Sequence, residues 1–187
     1  MARRSISKRK FVLAICTLFI AMLSYALAQQ GEGGLKFSLP FGKSADYNDI
    51  LVTRAVDGDT LLLESGERVR LIGIDTPEMH ESNKLYRDAE RSKQDIQTII
   101  ELGKKAYIFT KNLVEGKRVR LEFDVEKYDK YKRLLAYVYL QDGTFVNAEI
   151  VKQGYASLMT IPPNVEYADL FQKLYQEARE NQRGLWK

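Results

Sequence analysis

Cysteine and histidine are almost missing from this chain of 187 residues, which holds one of each, Cys16 and His80. A zinc site built from histidine and cysteine alone takes three or four such ligands, so a site of that kind is excluded. A disulfide within the chain is excluded by the same count. Proline is scarce too, at four residues, and the length leaves room for one domain with a proper core; a second is not expected. Acid is absent from residues 1–28, whereas Arg3, Arg4, Lys8, Arg9 and Lys10 crowd the first ten positions. That segment accounts for the formal net charge of +4, because the remaining residues carry 24 basic side chains against 25 acidic ones. A pI near 9.0 is therefore no argument for a nucleic-acid partner. Attraction for a polyanion has to come from local clustering of charge.

Residues 11–28 form an uncharged, largely apolar run that ends in Ala26-Leu27-Ala28. A basic start, an apolar run and an A-x-A-like end read as a secretory signal peptide over residues 1–28. The run is also long enough for an uncleaved N-terminal membrane anchor, the alternative reading. Cleavage after Ala28 would remove Cys16 and leave a secreted or periplasmic protein without thiol chemistry. Residues 29–47 hold four glycines and a proline with no sustained period, as a flexible linker does. The folded domain is expected over residues 48–187.

The stretch that organises the domain is residues 56–78, VDGDTLLLESGERVRLIGIDTPE. Asp57 and Asp59 flank a glycine at the start of an apolar run, and Asp75 and Glu78 close the segment around Thr76 and Pro77. Ser65-Gly66 folds the two runs back on each other, which brings the acidic ends together. Acids gathered in one place repel unless a positive charge sits among them, and a hard divalent cation with oxygen ligands answers that need. Arg70 on the return strand offers a planar fork for phosphate. Metal, carboxylate base and guanidinium together point to phosphodiester hydrolysis.

Around this stretch the pattern predicts strands over residues 50–56, 60–64 and 68–74. A long helix follows, with Ile96, Ile99, Ile100, Gly103, Tyr107 and Val114 at three-and-four spacing and Glu115-Gly116 at its end. Val119, Leu121, Phe123 and Val125 alternate as a fourth strand, and residues 134–140 make a fifth. Asn147 is expected to cap a short helix that Gly154 stops. Tyr167, Leu170, Phe171, Leu174 and Ala178 make the apolar stripe of a terminal helix. Five strands with a helix inserted after the third suit an OB-type barrel, so the fold class is α+β with three helices. The loop over residues 127–133, KYDKYKR, interleaves two tyrosines with four basic residues, a composition that suits stacked bases and held phosphates.

The set D-G-D-T, then R-L-I-G-I-D-T-P-E, then Asp129-Lys130-Tyr131-Lys132-Arg133 and the closing Gly184-Leu185-Trp186, resembles the staphylococcal nuclease-like (thermonuclease) family. The likeness covers most of residues 50–187 and implies a five-stranded OB-fold barrel of that type. It further implies Ca2+ held by Asp59, Asp75 and the Thr76 carbonyl, with Asp57 in its outer shell. Glu78 would be the general base, Arg70 and Arg133 the phosphate clamps, and Lys130 and Tyr131 substrate contacts. The activity implied is hydrolysis of DNA and RNA to 3′-phosphate products; nothing in the sequence demands more than a monomer. A non-catalytic nucleic-acid-binding module is the alternative, against which the complete acid set stands. This chain departs from the family pattern at three places. Lys132 replaces a usual glycine, residues 79–102 are longer than in the best-known members, and Thr160 stands where a base-stacking tyrosine is expected.

Overall fold

The computed structural model describes residues 46–187; the expected signal segment over residues 1–28 and the expected linker as far as residue 45 lie outside them. In chain order the elements are β1 (Ile50–Ala55), β2 (Thr60–Leu63), β3 (Arg68–Leu71), β4 (Gly73–Asp75), α1 (Asn83–Ser92), α2 (Ile96–Val114), β5 (Arg118–Glu122), β6 (Leu134–Leu140), α3 (Val146–Lys152), β7 (Ser157–Met159), α4 (Ala168–Glu180) and a final 3-10 turn, Gly184–Trp186. Among the described residues no helix is long and apolar enough to cross a membrane. Tyr47, the last residue of the expected linker, is already part of the packed structure. Its ring meets Phe123 edge-on at 5.2 Å, and its hydroxyl donates to Glu67 at 2.8 Å.

Five strands close a barrel in the order β1-β2-β3-β6-β5, with β5 pairing back onto β1. Apolar residues alternate inward along these strands, and Val52, Leu61, Val69, Val119 and Leu134 are fully buried. The β2–β3 turn needs a left-handed residue, which Gly66 supplies at φ +84°. β3 runs parallel to β6, the one parallel pairing of the barrel, so the chain between them crosses over through the helices. The α+β, OB-type architecture expected from the pattern is the one observed.

Local departures have physical reasons. The strand expected over residues 68–74 breaks in two, because Gly73 turns the backbone to φ +82° with the Phe171 ring packed where a side chain would begin. Ile74 and Asp75 consequently leave the barrel and pair with β7. The fourth strand stops at Glu122, and Val125 is 73% exposed instead of facing the core. Among the described residues four helices form instead of three. The additional one, α1, buries only Leu85 and so shows no apolar stripe; Ser82 caps it by accepting the Leu85 N–H at 3.1 Å.

Asn147 is not a cap. It lies inside α3, fully buried, where its Oδ1 accepts the Val138 N–H and its Nδ2 donates to the Ile72 carbonyl, each at 3.0 Å. The barrel wall leaves those backbone groups unpaired, and one amide satisfies both a donor and an acceptor. In α4, Phe171 and Ala178 face the core while Leu170 is 39% exposed. The ring of Tyr167 packs edge-on to Tyr137 at 4.6 Å, so the aromatic stripe is core as expected.

Candidate active site

The β2–β3 hairpin does what its sequence promised, since Thr60 pairs with Arg70 and brings Asp59 beside the guanidinium. Arg70 Nη1 lies 2.5 Å from Asp59 Oδ2, and its Nη2 donates to Asp75 Oδ1 at 2.8 Å. Asp59 is 5% exposed, and its Oδ2 also accepts the Thr76 N–H at 2.9 Å. A carboxylate so deeply buried would normally resist ionisation. Burial pushes that way, but the Arg70 charge and the Thr76 N–H hold Asp59 below the usual carboxylate range. Arg70 is itself raised: burial opposes its charge, and Asp59 and Asp75 more than offset that.

Asp57 stands just behind, its Oδ1 accepting the Asp59 N–H at 3.0 Å. Burial, followed by the neighbouring Asp59 charge, pushes it up to about 7. Asp75 is also raised, chiefly by burial, even though Arg70 and Lys84 pull the other way.

Lys84 is the site residue that the sequence did not reveal. It projects from α1, and its Nζ donates to Asp75 Oδ1 at 2.9 Å and to the Thr76 carbonyl at 3.2 Å, and lies 3.0 Å from Glu78 Oε1. One ammonium thus joins Glu78 to the Asp75–Arg70–Asp59 cluster. No motif marks it, because α1 itself has no readable stripe. Its contacts test the fit of a metal. The Asp75 carboxylate and the Thr76 carbonyl converge on a single cation, and Asp59 meets the same cluster through Thr76 and Arg70. Among the described residues no three Asp, Glu, His or Cys side chains form a metal cluster by themselves. The Thr76 carbonyl and further oxygens from water or substrate would be needed, which suits a hard divalent cation. Asp59, Asp75 and the Thr76 carbonyl present the oxygen ligands that such a cation takes.

Arg133 and Arg70 face one cavity of about 370 Å³ from different elements, with Lys130, Tyr128, Tyr131 and Leu135 also in its walls. Asp129 organises the loop. It accepts the N–H groups of Tyr131 and Arg133 at 2.8 and 2.9 Å, and Arg133 Nε at 2.7 Å. Lys132 takes the left-handed conformation, φ +63°, where the family pattern has glycine. Tyr131 is 69% exposed beside the Arg133 guanidinium, 5.4 Å from its ring centre. Glu78 is not in this cavity wall, and His80 is exposed.

Neither Tyr155 nor Tyr167, its neighbours in sequence, takes the place of the tyrosine missing at Thr160. Tyr155 stacks on Phe109 at 4.4 Å and Tyr167 is in the core, while Met159 and Ile161 line the cavity instead. Met159 lies against Arg70, with Sδ 3.7 Å from Nη2. Asn164, also unmarked in the sequence, clamps the start of the loop by a pair of 2.8 Å hydrogen bonds with the Glu126 backbone.

Comparison with known proteins agrees with this geometry. The family model described as Staphylococcal nuclease homologue matches residues 68–187. A thermonuclease of Staphylococcus intermedius is 36% identical over 183 residues, which cover 96% of this chain and 99% of that protein. A thermonuclease of Staphylococcus hyicus is 31% identical over 181 residues, 95% of this chain and 98% of the other. An uncharacterised protein of Methanocaldococcus jannaschii is 38% identical over 146 residues, 72% of this chain and 70% of its own. With a closed five-stranded barrel, the hairpin-borne acid and arginine cluster, and similarity running through almost the whole chain, this protein belongs to the staphylococcal nuclease family.

Proposed function

We propose that this chain is an exported, calcium-dependent nuclease that hydrolyses phosphodiester bonds of DNA and RNA, prefers single strands, and leaves 3′-phosphate products. The observation that carries the reading is the placement of Arg70. It lies between two carboxylates on one side and, on the other, a cavity it shares with Arg133. The thermonuclease relatives support phosphodiester hydrolysis and a metal requirement. The basic leader followed by an apolar run over residues 1–28 supports export, by cleavage or as a membrane anchor. Nothing in the domain calls for more than a monomer.

In this reading Asp59, Asp75 and the Thr76 carbonyl would hold Ca2+, which when bound would supply polarisation of a phosphate oxygen. Glu78 takes a proton from the attacking water, whose oxygen forms the new bond to phosphorus. The bond from phosphorus to the 5′ oxygen breaks, and that oxygen leaves with a proton drawn from solvent. Arg70 and Arg133 offset the charge that builds on the equatorial oxygens. Tyr131 and Tyr128 present rings at the cavity wall, which suits unstacked bases more than a duplex. The test is to incubate the full chain with end-labelled single-stranded DNA in calcium and in chelator, and to identify the product ends. Shortened products ending in 3′-phosphate only with calcium are expected. Binding without cleavage would make the protein a nucleic-acid-binding module.

A further inference from the structure

We propose that helix α1 carries a second nucleic-acid subsite, in which Arg87 and Arg91 hold phosphates of the substrate strand on the far side of the scissile bond from the 127–133 loop. The inference rests on the nuclease reading. A groove of about 650 Å³ starts at Asp75 and Met159 and follows α1 past Lys84 and Arg87 to Arg91. Met159 is also a wall of the cavity shared by Arg70 and Arg133, so the two depressions lie on either side of that one side chain, beside the acid cluster. A single strand leaving the first over Met159 would enter the second.

Lys84, Arg87 and Arg91 follow one another at intervals of three and four, which sets them on one stripe of the helix. Their charges are committed differently. Lys84 is taken up by Asp75 and Glu78, whereas Arg87 and Arg91 are exposed and form no ion pair among the described residues. Asp88 and Glu90 also border the groove, so it is not a broad basic field. It offers discrete guanidinium forks, the group best matched to phosphate oxygens. Leu85 is the only residue of α1 that is buried, so the barrel gains little from this helix. Its value lies at the lip of the site. Adjacency to the Arg70–Arg133 cavity, across Met159, favours a nucleic-acid strand over an acidic protein segment as occupant. With subsites on both sides of the cluster, the bond to be cut lies inside a strand, which makes the action endonucleolytic.

The test is binding by fluorescence anisotropy, in the full chain carrying Glu78→Gln so that strands are not consumed. Probes are single-stranded DNAs of about three and about twelve nucleotides; an OB fold takes about 4–16, so the first is too short to span the site and the second is long enough to do so. Adding Arg87→Ala and Arg91→Ala should weaken binding of the longer probe about tenfold at low salt. It should also flatten the dependence of log affinity on log salt by about 1.4, since each phosphate contact on a single strand contributes about 0.7. The shorter probe should lose far less. Asp88→Asn should tighten the longer probe, and Arg87→Lys with Arg91→Lys should restore the salt slope because the charges return. An unchanged slope with α1 intact by circular dichroism overturns the proposal and is the result expected if the groove takes an acidic protein segment; equal losses for both lengths overturn it as well. If the parent chain neither binds nor cuts any strand, the nuclease reading itself has failed. Cutting with an unchanged slope removes the α1 subsite alone.

Discussion

Gly103 sets the position of Glu78 from behind, and Gly103→Ala should cost far more in rate than in stability. This glycine lies in α2, where a Cβ would come within 2.6 Å of both the carbonyl carbon and the oxygen of Glu78, and 2.7 Å from the Pro77 carbonyl oxygen. Ordinary contact begins at 3.4 Å, so the two backbones must separate by about 0.8 Å. α2 is anchored by buried Ile99, Ala106, Thr110 and Val114, whereas residues 77–78 are irregular and half-buried. The give therefore falls on Glu78. A displacement of about 1 Å in a catalytic group costs roughly 10²-fold, so kcat should fall by about 10- to 100-fold. Two opposing effects act on stability: alanine gains up to about 1 kcal/mol in helix propensity, and overpacking costs about 1–3 kcal/mol. The net loss is about 0–2 kcal/mol, a melting shift of a few degrees. Saturating kinetics on single-stranded DNA, beside a thermal melt, separates the two effects. Gly66→Ala serves as the control, because it strains a turn at φ +84° with nothing within 4 Å and should lower the melting point while leaving kcat alone. A wild-type kcat in folded Gly103→Ala would refute the reasoning.

Arg70→Lys should lower kcat by about 10²-fold or more, because a single ammonium cannot bridge Asp59 and Asp75 as the two Nη groups do; retention of most of the wild-type kcat would reduce Arg70 to a point charge. Calcium should raise the melting temperature, by an amount equivalent to about 2.7 kcal/mol at a hundred times its Kd, and Asp59→Asn should abolish the shift seen by calorimetry. Asn147→Ala strips partners from the buried Val138 N–H and Ile72 carbonyl and should cost about 2–5 kcal/mol in urea unfolding. Burial tends to raise Asp129, but the Arg133 N–H, the Arg133 guanidinium and the Tyr131 N–H win and hold it below the ordinary carboxylate value. Its contribution is therefore complete above about pH 4 and is lost as pH falls through its depressed value, so proteolysis of the 127–133 loop should accelerate only under strong acid, and Asp129→Asn should show no such acid limb.

The barrel and the acid cluster were legible for the same reason. β-strands announce themselves by period two, and a single turn, Ser65-Gly66, sets the register that puts Arg70 opposite Thr60 and next to Asp59. Two features escaped because they depend on contacts that no period records. α1 buries one side chain, so neither the helix nor Lys84 could be found from apolar spacing. Asn147 looked like a cap because asparagine before a helix usually is one, but here the unpaired backbone of β6 and Ile72 recruited its amide. The extended β5 reading failed at Val125 for a related reason. Asp124 accepts the Tyr137 hydroxyl at 3.0 Å and the Glu166 N–H at 3.2 Å, which turns the chain away from the barrel and toward the loop that carries Arg133.

Three contacts share a direction, since each ties the acid-bearing segment to a helix outside the hairpin. Lys84 ties Asp75 and Glu78 to α1, Gly103 lets α2 press on the Glu78 backbone, and Thr110 Oγ1 donates to the Gly58 carbonyl at 2.7 Å, between Asp57 and Asp59. The hairpin alone brings like charges together, and their repulsion would open it. Arg70 offsets that repulsion from within, and α1 and α2 hold the ends from without. The chemistry can therefore be read from a local motif, while the rigidity that lets the motif act has to be read from the helices packed against it.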